Sequence, residues 1–173
     1  MSEVRFDNCL IEIDNVVYYA LPTKLVDYVK KLYENNKSYQ RQIESLGDKL
    51  AENTESDIEI IENVYKYICD NIEYDTEKAK IIKKIYNPDL DEILTNKKGI
   101  CFDYASLAAG MLRSQGIPTK LVMGYLGPDD LYHAWNMVYT KENGWELFDF
   151  ADKTNGNNIL LKSEKVYKEL YEY

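Results

Sequence analysis

Apolar and polar positions alternate in two short runs within residues 4–21, and the spacing then changes to a helical one. The two runs meet at Asp14-Asn15, which predicts a β-hairpin. From residue 25 to residue 50 an apolar stripe repeats at intervals of four and three, through Leu25, Val29, Leu32, Asn36, Tyr39, Ile43, Leu46 and Leu50. This is a coiled-coil seam with one asparagine in a core position. It fits either a self-associating helix or an amphipathic helix, continuous or broken into two at Asn35-Asn36, that lies on the main domain.

The polar segment 52–57 predicts a linker, which divides the chain into two regions, 1–52 and 53–173. Beyond it, helices are predicted at 57–70, 76–86, 90–95, 101–114 and 163–173, and strands at 119–126, 131–140 and 145–150. Helices that lead into an antiparallel meander indicate an α+β fold, a helix bundle packed on an antiparallel sheet. The N-terminal hairpin and heptad helix would precede this core.

The charge of the chain excludes several classes of partner. The 173 residues are 45% hydrophobic, which suits a globular core, and the net charge is −9. An acidic protein repels phosphate backbones and anionic lipid surfaces, so neither nucleic acid nor membrane is an expected partner. No apolar run approaches the ~18 residues of a membrane span, and the first residues do not form a signal peptide. A cytoplasmic location is therefore expected for the chain as it stands.

The cysteines and the single histidine limit the metal chemistry. Cys9, Cys69 and Cys101 are widely spaced and form no CxxC pair. A disulfide framework or a zinc site is not expected from so few ligands. We therefore expect a reduced compartment and no metal or other cofactor.

Cys101 is distinguished from the other two cysteines by its position. It stands at the start of a predicted helix, just after Gly99, whereas Cys9 and Cys69 lie inside apolar runs. Free amides and the positive end of the helix dipole favour a thiolate there and could also stabilise an oxyanion. The alternative is a buried structural cysteine, which is common. A nucleophilic thiol would need an imidazole as acid and base, and His133 is the only candidate.

The predicted strand with His133 is followed by one that ends near Asp149, a carboxylate among apolar residues. A tight turn at Asn143-Gly144 would leave these two residues about 16 Å apart. A longer loop over residues 139–143, centred on Lys141, would place them opposite each other. We predict the longer loop, because its register explains both the histidine and the carboxylate.

Three segments, GICFDYASLAAGMLRSQGIPTKLVMGY, HAWNMVY and GWELFDF, together resemble the transglutaminase-like core, a papain-like cysteine fold. The resemblance covers about residues 71–154. It implies Cys101 as nucleophile, His133 as acid and base, and Asp149 as the acid that orients the imidazole. The upstream segment NIEYD also matches, and it makes Tyr74 a candidate for the oxyanion hole. Two further residues match the motif as candidates for the wall of the site: Trp135 and Asn136.

The resemblance implies an amide-bond hydrolase or acyl transferase that acts on a protein or peptide through a thioester. Hydrolysis is favoured over cross-linking for this compact, bacterial-looking chain. The calcium-regulated members of the family carry extra domains that are absent here, which agrees with the expectation of no metal. The alternative is a catalytically idle interaction module that forms homo-oligomers through the helix at 25–50.

Overall fold

The computed structural model describes residues 4–7, 10–13, 16–20, 42–81, 86, 88–152 and 167–172. The chain forms two compact units, Met1–Arg41 and Gln42–Tyr173. In the first unit, β1 (Val4–Asp7), β2 (Leu10–Ile13) and β3 (Val16–Ala20) form an antiparallel sheet in that order. Ile13 pairs with Val16 on either side of Asp14-Asn15, as the predicted hairpin requires. The first predicted run is two strands, where one was expected.

The second unit contains a helical layer and a four-stranded sheet. Residues 42–51 are helical and are labelled α1. The other helices are α2 (Asp57–Asn71), α3 (Thr76–Ile81), α4 (Leu90–Asn96) and α5 (Cys101–Ser114). The strands are β4 (Glu73–Tyr74), β5 (Lys98–Gly99), β6 (Thr119–Leu126), β7 (Leu131–Thr140), β8 (Gly144–Phe148) and β9 (Tyr167–Glu172). This mixed fold with an antiparallel sheet confirms the α+β prediction.

The last positions of the heptad seam lie in the core of the second unit. Ile43 is 4% exposed, and Leu46 and Leu50 pack against the same buried cluster. This part of the seam therefore behaves as an amphipathic helix on the main domain. The compact units divide between 41 and 42, whereas the sequence placed the division between 52 and 53. The seam from 25 to 41 lies outside the described residues, and self-association through it stays a prediction.

The core forms where α2 and α5 pack together and against the sheet. Ser56 caps α2 by accepting a hydrogen bond from the Glu59 N–H, which satisfies one of the unpaired amides of the first turn. The buried side chains of α2 are Ile61, Val64, Tyr65 and Ile68. They meet the larger residues of α5, while its buried alanines allow the sheet to approach closely. This packing holds the first residue of α5 at a fixed place beside the sheet.

The strand order of the sheet is β8-β7-β6-β9, and all its pairs are antiparallel. The β7–β8 loop spans residues 141–143, because Thr140 pairs with Gly144. The loop is longer than the two-residue alternative, but the predicted register is wrong. Met137 pairs with Leu147, and β8 ends at Phe148, which pairs with Asn136. The loop is centred on residue 142, so the ladder does not set His133 opposite Asp149.

The predicted C-terminal helix is wrong over residues 167–172, which form strand β9 along the edge of β6. Pairing with an open sheet edge supplies backbone hydrogen bonds along its length, which outweighs the weak local preference for helix. A glycine makes the approach possible, because a Cβ at Gly124 would lie 2.0 Å from the carbonyl oxygen of Lys168. The predicted helix at 76–86 is present as α3, and residues 82–85 lie outside the described ones. In the described part of the chain, no helix has the length and apolarity to span a membrane.

Candidate active site

Cys101 is the first residue of α5, and the preceding backbone is held by a short parallel ladder. In that ladder Tyr74 of β4 pairs with Gly99 of β5. A Cβ at Gly99 would lie 2.8 Å from the Asp103 side chain, so only glycine fits this entry to the helix. The thiol is half-buried. The structure therefore places Cys101 where unpaired helix amides point outward.

The start of α5 is fixed from within by the carboxylate of Asp103, which is fully buried. Its Oδ2 accepts hydrogen bonds from the Ile100 N–H and from Lys78 Nζ, both at 2.9 Å. Its Oδ1 accepts one from the Tyr86 hydroxyl at 2.8 Å. A buried carboxylate with three donors is well satisfied. It locks the turn that presents Cys101, and the sequence reading did not single it out.

His133 of β7 is hydrogen-bonded to Asp149 and lies near Cys101. Its Nε2 is 2.7 Å from Asp149 Oδ2, and the thiol of Cys101 is close enough to raise the pKa of the imidazole. His133 is 8% exposed and Asp149 is 7% exposed. Asp149 follows the end of β8, and its side chain reaches the imidazole without direct pairing in the ladder. The structure thus brings these three predicted residues together.

The surroundings of His133 change its protonation. Burial, the largest single contribution, lowers the pKa of the imidazole, but hydrogen bonds to Asp149 and Cys101 and their negative charges together outweigh it. The net effect raises the pKa of His133 from 6.5 to about 10. The imidazole is therefore cationic at neutral pH. An imidazolium between a carboxylate and a thiol can stabilise negative charge on either neighbour.

Tyr74 reaches Cys101 from β4. Its hydroxyl is close enough to Cys101 for the thiol and the backbone N–H of that residue to shift its pKa. Burial, followed by the charge of Cys101, raises the pKa of Tyr74 to about 12, so its hydroxyl keeps its proton at neutral pH. The side chain is 40% exposed. It therefore lies at the open side of the Cys101 position.

The two residues proposed for the wall of the site lie in different places. Trp135 is buried, and its ring stacks on His133 with centroids 6.4 Å apart. Asn136 is also buried, but its Nδ2 donates to the carbonyl oxygens of Ala105 and Lys120. Asn136 therefore ties α5 to β6 and is not among the groups that contact the imidazole.

Tyr167 is a residue of the site that the sequence analysis missed. Its hydroxyl donates to Asp149 Oδ2 at 2.9 Å, and its ring packs edge-on against Trp135 with centroids 5.1 Å apart. The segment was predicted as a helix, which hid this contact. The tyrosines at 167, 171 and 173 are separated by even numbers of residues, so in a strand they would lie on one face. This spacing was the available signal for a strand.

Metal ligands are not grouped in the described ranges: no three His, Cys, Asp or Glu side chains there are placed to hold an ion. The chemistry available from the described site is that of a thiol, an imidazolium, a carboxylate and two tyrosine hydroxyls.

The comparison with known families agrees with this arrangement. A family model described as the transglutaminase-like superfamily matches residues 44–150. The chain belongs to the transglutaminase-like superfamily. Members of this superfamily are commonly cysteine peptidases or acyltransferases.

Among related sequences, uncharacterized proteins of Mycobacterium bovis and Mycobacterium tuberculosis are 34% identical to the chain. The match covers 31% of this chain and 20% of theirs. The chain therefore spans about a fifth of the length of these relatives.

Several solved structures are similar. A protein described as a TGase has a TM-score of 0.56 at 19% identity, over 94% of this chain and 47% of its own. LapG of Legionella pneumophila (EGTA-treated) has a TM-score of 0.55 at 16% identity, over 84% of this chain and 81% of its own. A candidate cysteine protease from Cytophaga hutchinsonii has a TM-score of 0.52 at 19% identity, over 78% and 50%. At these identities the likeness establishes the shared superfamily fold.

Proposed function

We propose that the protein is a cysteine-dependent amide-bond hydrolase or acyl transferase that acts on a protein or peptide. Cys101 is the nucleophile, His133 the acid and base, and Asp149 the group that orients the imidazole. The observation that carries the proposal is the 2.7 Å bond between the buried imidazole and the carboxylate of Asp149, with the thiol near enough to raise the imidazole pKa. This is the arrangement that thiol catalysis needs, a nucleophile beside a base whose ring is held by a third group.

The first chemical step follows from the position of Cys101. Its sulfur, as the thiolate, attacks the carbonyl carbon of an amide, and the electron pair of the C=O bond moves to the oxygen. The backbone N–H of the first residue of α5 and the hydroxyl of Tyr74 lie beside the thiol, and we assign them as donors to that oxygen.

The second step uses the proton on His133. The C–N bond breaks, the imidazolium protonates the leaving amine, and a thioester on Cys101 remains. The neutral imidazole then takes a proton from water or from an amine, which attacks the thioester and frees the sulfur. Asp149 keeps the ring in place through both transfers. We propose water as the preferred acceptor, because Tyr74 leaves the site open to solvent at this side.

The test begins with site-resolved alkylation by iodoacetamide at pH 6, read by peptide mass spectrometry. Ordinary thiols, with a pKa of ~8.5, react slowly at this pH. We expect Cys101 to label fast in the wild type and slowly in His133→Ala. Cys69 is also half-buried and serves as the internal control. Equal labelling of Cys101 and Cys69 would contradict the proposal.

The acyl acceptor is tested separately with a mixture of fluorogenic peptides and a fluorescent alkylamine. Release of fluorophore that is lost in Cys101→Ala and kept in Cys69→Ala supports hydrolysis. Cysteine-dependent incorporation of the amine supports transfer. An inactive protein with an unreactive thiol would leave the idle interaction module as the better hypothesis. That module finds no support in α1, whose described seam residues are used in the core.

A further inference from the structure

The carboxylate of Asp149 has three hydrogen-bond donors, and one of them comes from a distant part of the chain. Oδ2 receives His133 Nε2 at 2.7 Å and the Tyr167 hydroxyl at 2.9 Å. Oδ1 receives the N–H of Ala151 at 3.0 Å. The histidine and the local N–H belong to the active-site strands and the turn after β8. Tyr167 belongs to β9, the strand at the opposite edge of the sheet from β8.

The backbone at Asp149 is not fixed by the sheet ladder. β8 ends at Phe148, and Asp149 begins a turn in which its carbonyl oxygen accepts the Asp152 N–H. The last torsion of an aspartate side chain is broad, so the backbone alone does not fix the plane in which the carboxylate lies. A donor on each oxygen removes this freedom. The Tyr167 hydroxyl binds the same oxygen as His133 and so holds that oxygen toward the imidazole.

The hydroxyl of Tyr167 is held in place by the packing of its ring. The ring stands edge-on to Trp135 with centroids 5.1 Å apart, and Trp135 in turn stacks on His133. The strand itself approaches β6 closely at Gly124, which has no side chain to keep it away. The pairing of β9 with β6 therefore delivers this donor.

We propose that Tyr167 is a positioning residue that keeps the carboxylate of Asp149 directed at His133, and so keeps the imidazole directed at Cys101. This inference rests on the proposed function and deepens it. It assigns to β9 a part of the site that the residues of the motif do not contain.

The first test is Tyr167→Phe, which removes the hydroxyl and keeps the ring on Trp135. His133 is the only histidine in the sequence, so its ring signals can be followed by NMR without ambiguity. We expect the imidazole pKa to fall by about one pH unit, tenfold in the protonation equilibrium, because a misdirected carboxylate stabilises the imidazolium less. If the hydroxyl merely shared the charge of Asp149, its removal would raise that pKa. A rise or no change overturns the proposal.

The matched control is Tyr125→Phe in β6, the strand that pairs with β9. The ring of Tyr125 packs against Tyr132. It removes a tyrosine hydroxyl without touching Asp149, and we expect the titration of His133 to stay as in the wild type. Amide hydrogen exchange of β9 is measured in both variants. Loss of protection in β9 of Tyr167→Phe alone would assign the effect to strand docking and overturn the proposal.

A double-mutant cycle shows whether Tyr167 acts through Asp149. We expect Tyr167→Phe to slow alkylation of Cys101 at pH 6 by about tenfold, the size of one charge-assisted hydrogen bond. In an Asp149→Asn background the same change should have little further effect. Equal slowing in both backgrounds would contradict a positioning role.

The outcomes for Tyr167 and for the proposed function can be separated. If Cys101 is no more reactive than Cys69 in the wild type, the proposed function fails. The NMR titration still reports on the positioning of Asp149, because it needs neither a substrate nor a reactive thiol. A fall of the imidazole pKa in Tyr167→Phe would then support the positioning role alone, and an unchanged value would overturn it.

Discussion

Gly124→Ala tests whether the close approach of β9 to β6 keeps the site in order. A Cβ at Gly124 would lie 2.0 Å from the Lys168 carbonyl oxygen and 2.7 Å from the ring of Trp135. Real Cβ contacts essentially never fall below 3.0 Å. Because cores are close-packed, β9 must retreat by about 1 Å or more. The 2.9 Å bond from Tyr167 to Asp149 would then exceed the range of a hydrogen bond.

Gly127→Ala is the matched control for the effect of Gly124→Ala on the free energy of unfolding. Overpacking at Gly124 should lower the free energy of unfolding by about 1–3 kcal/mol. Gly127 has φ of +71° and no atom within 4 Å of its would-be Cβ. Alanine there costs roughly 1–2 kcal/mol through backbone strain alone. The two variants should therefore lose similar stability, but only the first should displace β9.

Urea unfolding measures the stability of both variants, and amide hydrogen exchange measures the protection of β9. We expect Gly124→Ala to lose protection in β9 and to label more slowly at Cys101 at pH 6. Gly127→Ala should keep both properties of the wild type. Wild-type protection of β9 in Gly124→Ala, or an equal loss in Gly127→Ala, would refute the reasoning.

Three further substitutions test other contacts. Asp149→Asn removes a hydrogen bond and a negative charge from His133, so the imidazole should titrate below the value of about 10 in the wild type; an unchanged NMR titration would contradict this. Asp103→Asn replaces a carboxylate that accepts three hydrogen bonds with a neutral amide. It should lower the free energy of unfolding, measured in urea, by about 1.5–3 kcal/mol. Tyr65→Phe removes the 2.8 Å bond to the Asp152 carbonyl and should cost about 1 kcal/mol in the same assay. For either change, stability equal to that of the wild type would show that the bond contributes nothing.

The parts of the fold that were predicted well depend on local signals. The helix at Cys101–Ser114 has its glycine entry, its apolar stripe and its stop residues within twenty residues of sequence, and the structure has the same bounds. The strands at Thr119–Leu126 and Leu131–Thr140 were likewise clear from their alternation. In each case the pattern of one segment was enough.

The register of β7 and β8 was harder, because it depends on how two side chains reach each other. The prediction assumed that a histidine and a carboxylate in contact must be paired across the ladder. Asp149 instead lies beyond the end of β8, and its side chain reaches His133 from a turn. The contact was foreseen and the pairing was not, since periodicity says nothing about how far a side chain extends.

The C-terminal strand could not be recognised from its own residues. The segment around Tyr167 has helix-forming lysine and glutamate as well as strand-forming tyrosines. Its state is decided by the open edge of β6 and by the missing side chain at Gly124. Both features belong to a segment about forty residues earlier, so no local pattern contains them.

The pairing of β6 with β9 also bears on the order in which the protein folds. Residues 127–130 join β6 to β7 and residues 141–143 join β7 to β8, so these two pairings close short loops. The pairing of Leu126 with Tyr167 closes a loop of about forty residues, which costs more chain entropy and is slower to form. We expect a refolding chain to pair β6, β7 and β8, which brings His133 beside Asp149, before β9 pairs with β6 and Tyr167 arrives at Asp149. Thiol reactivity would then develop in two kinetic phases, the second marking the arrival of the last strand.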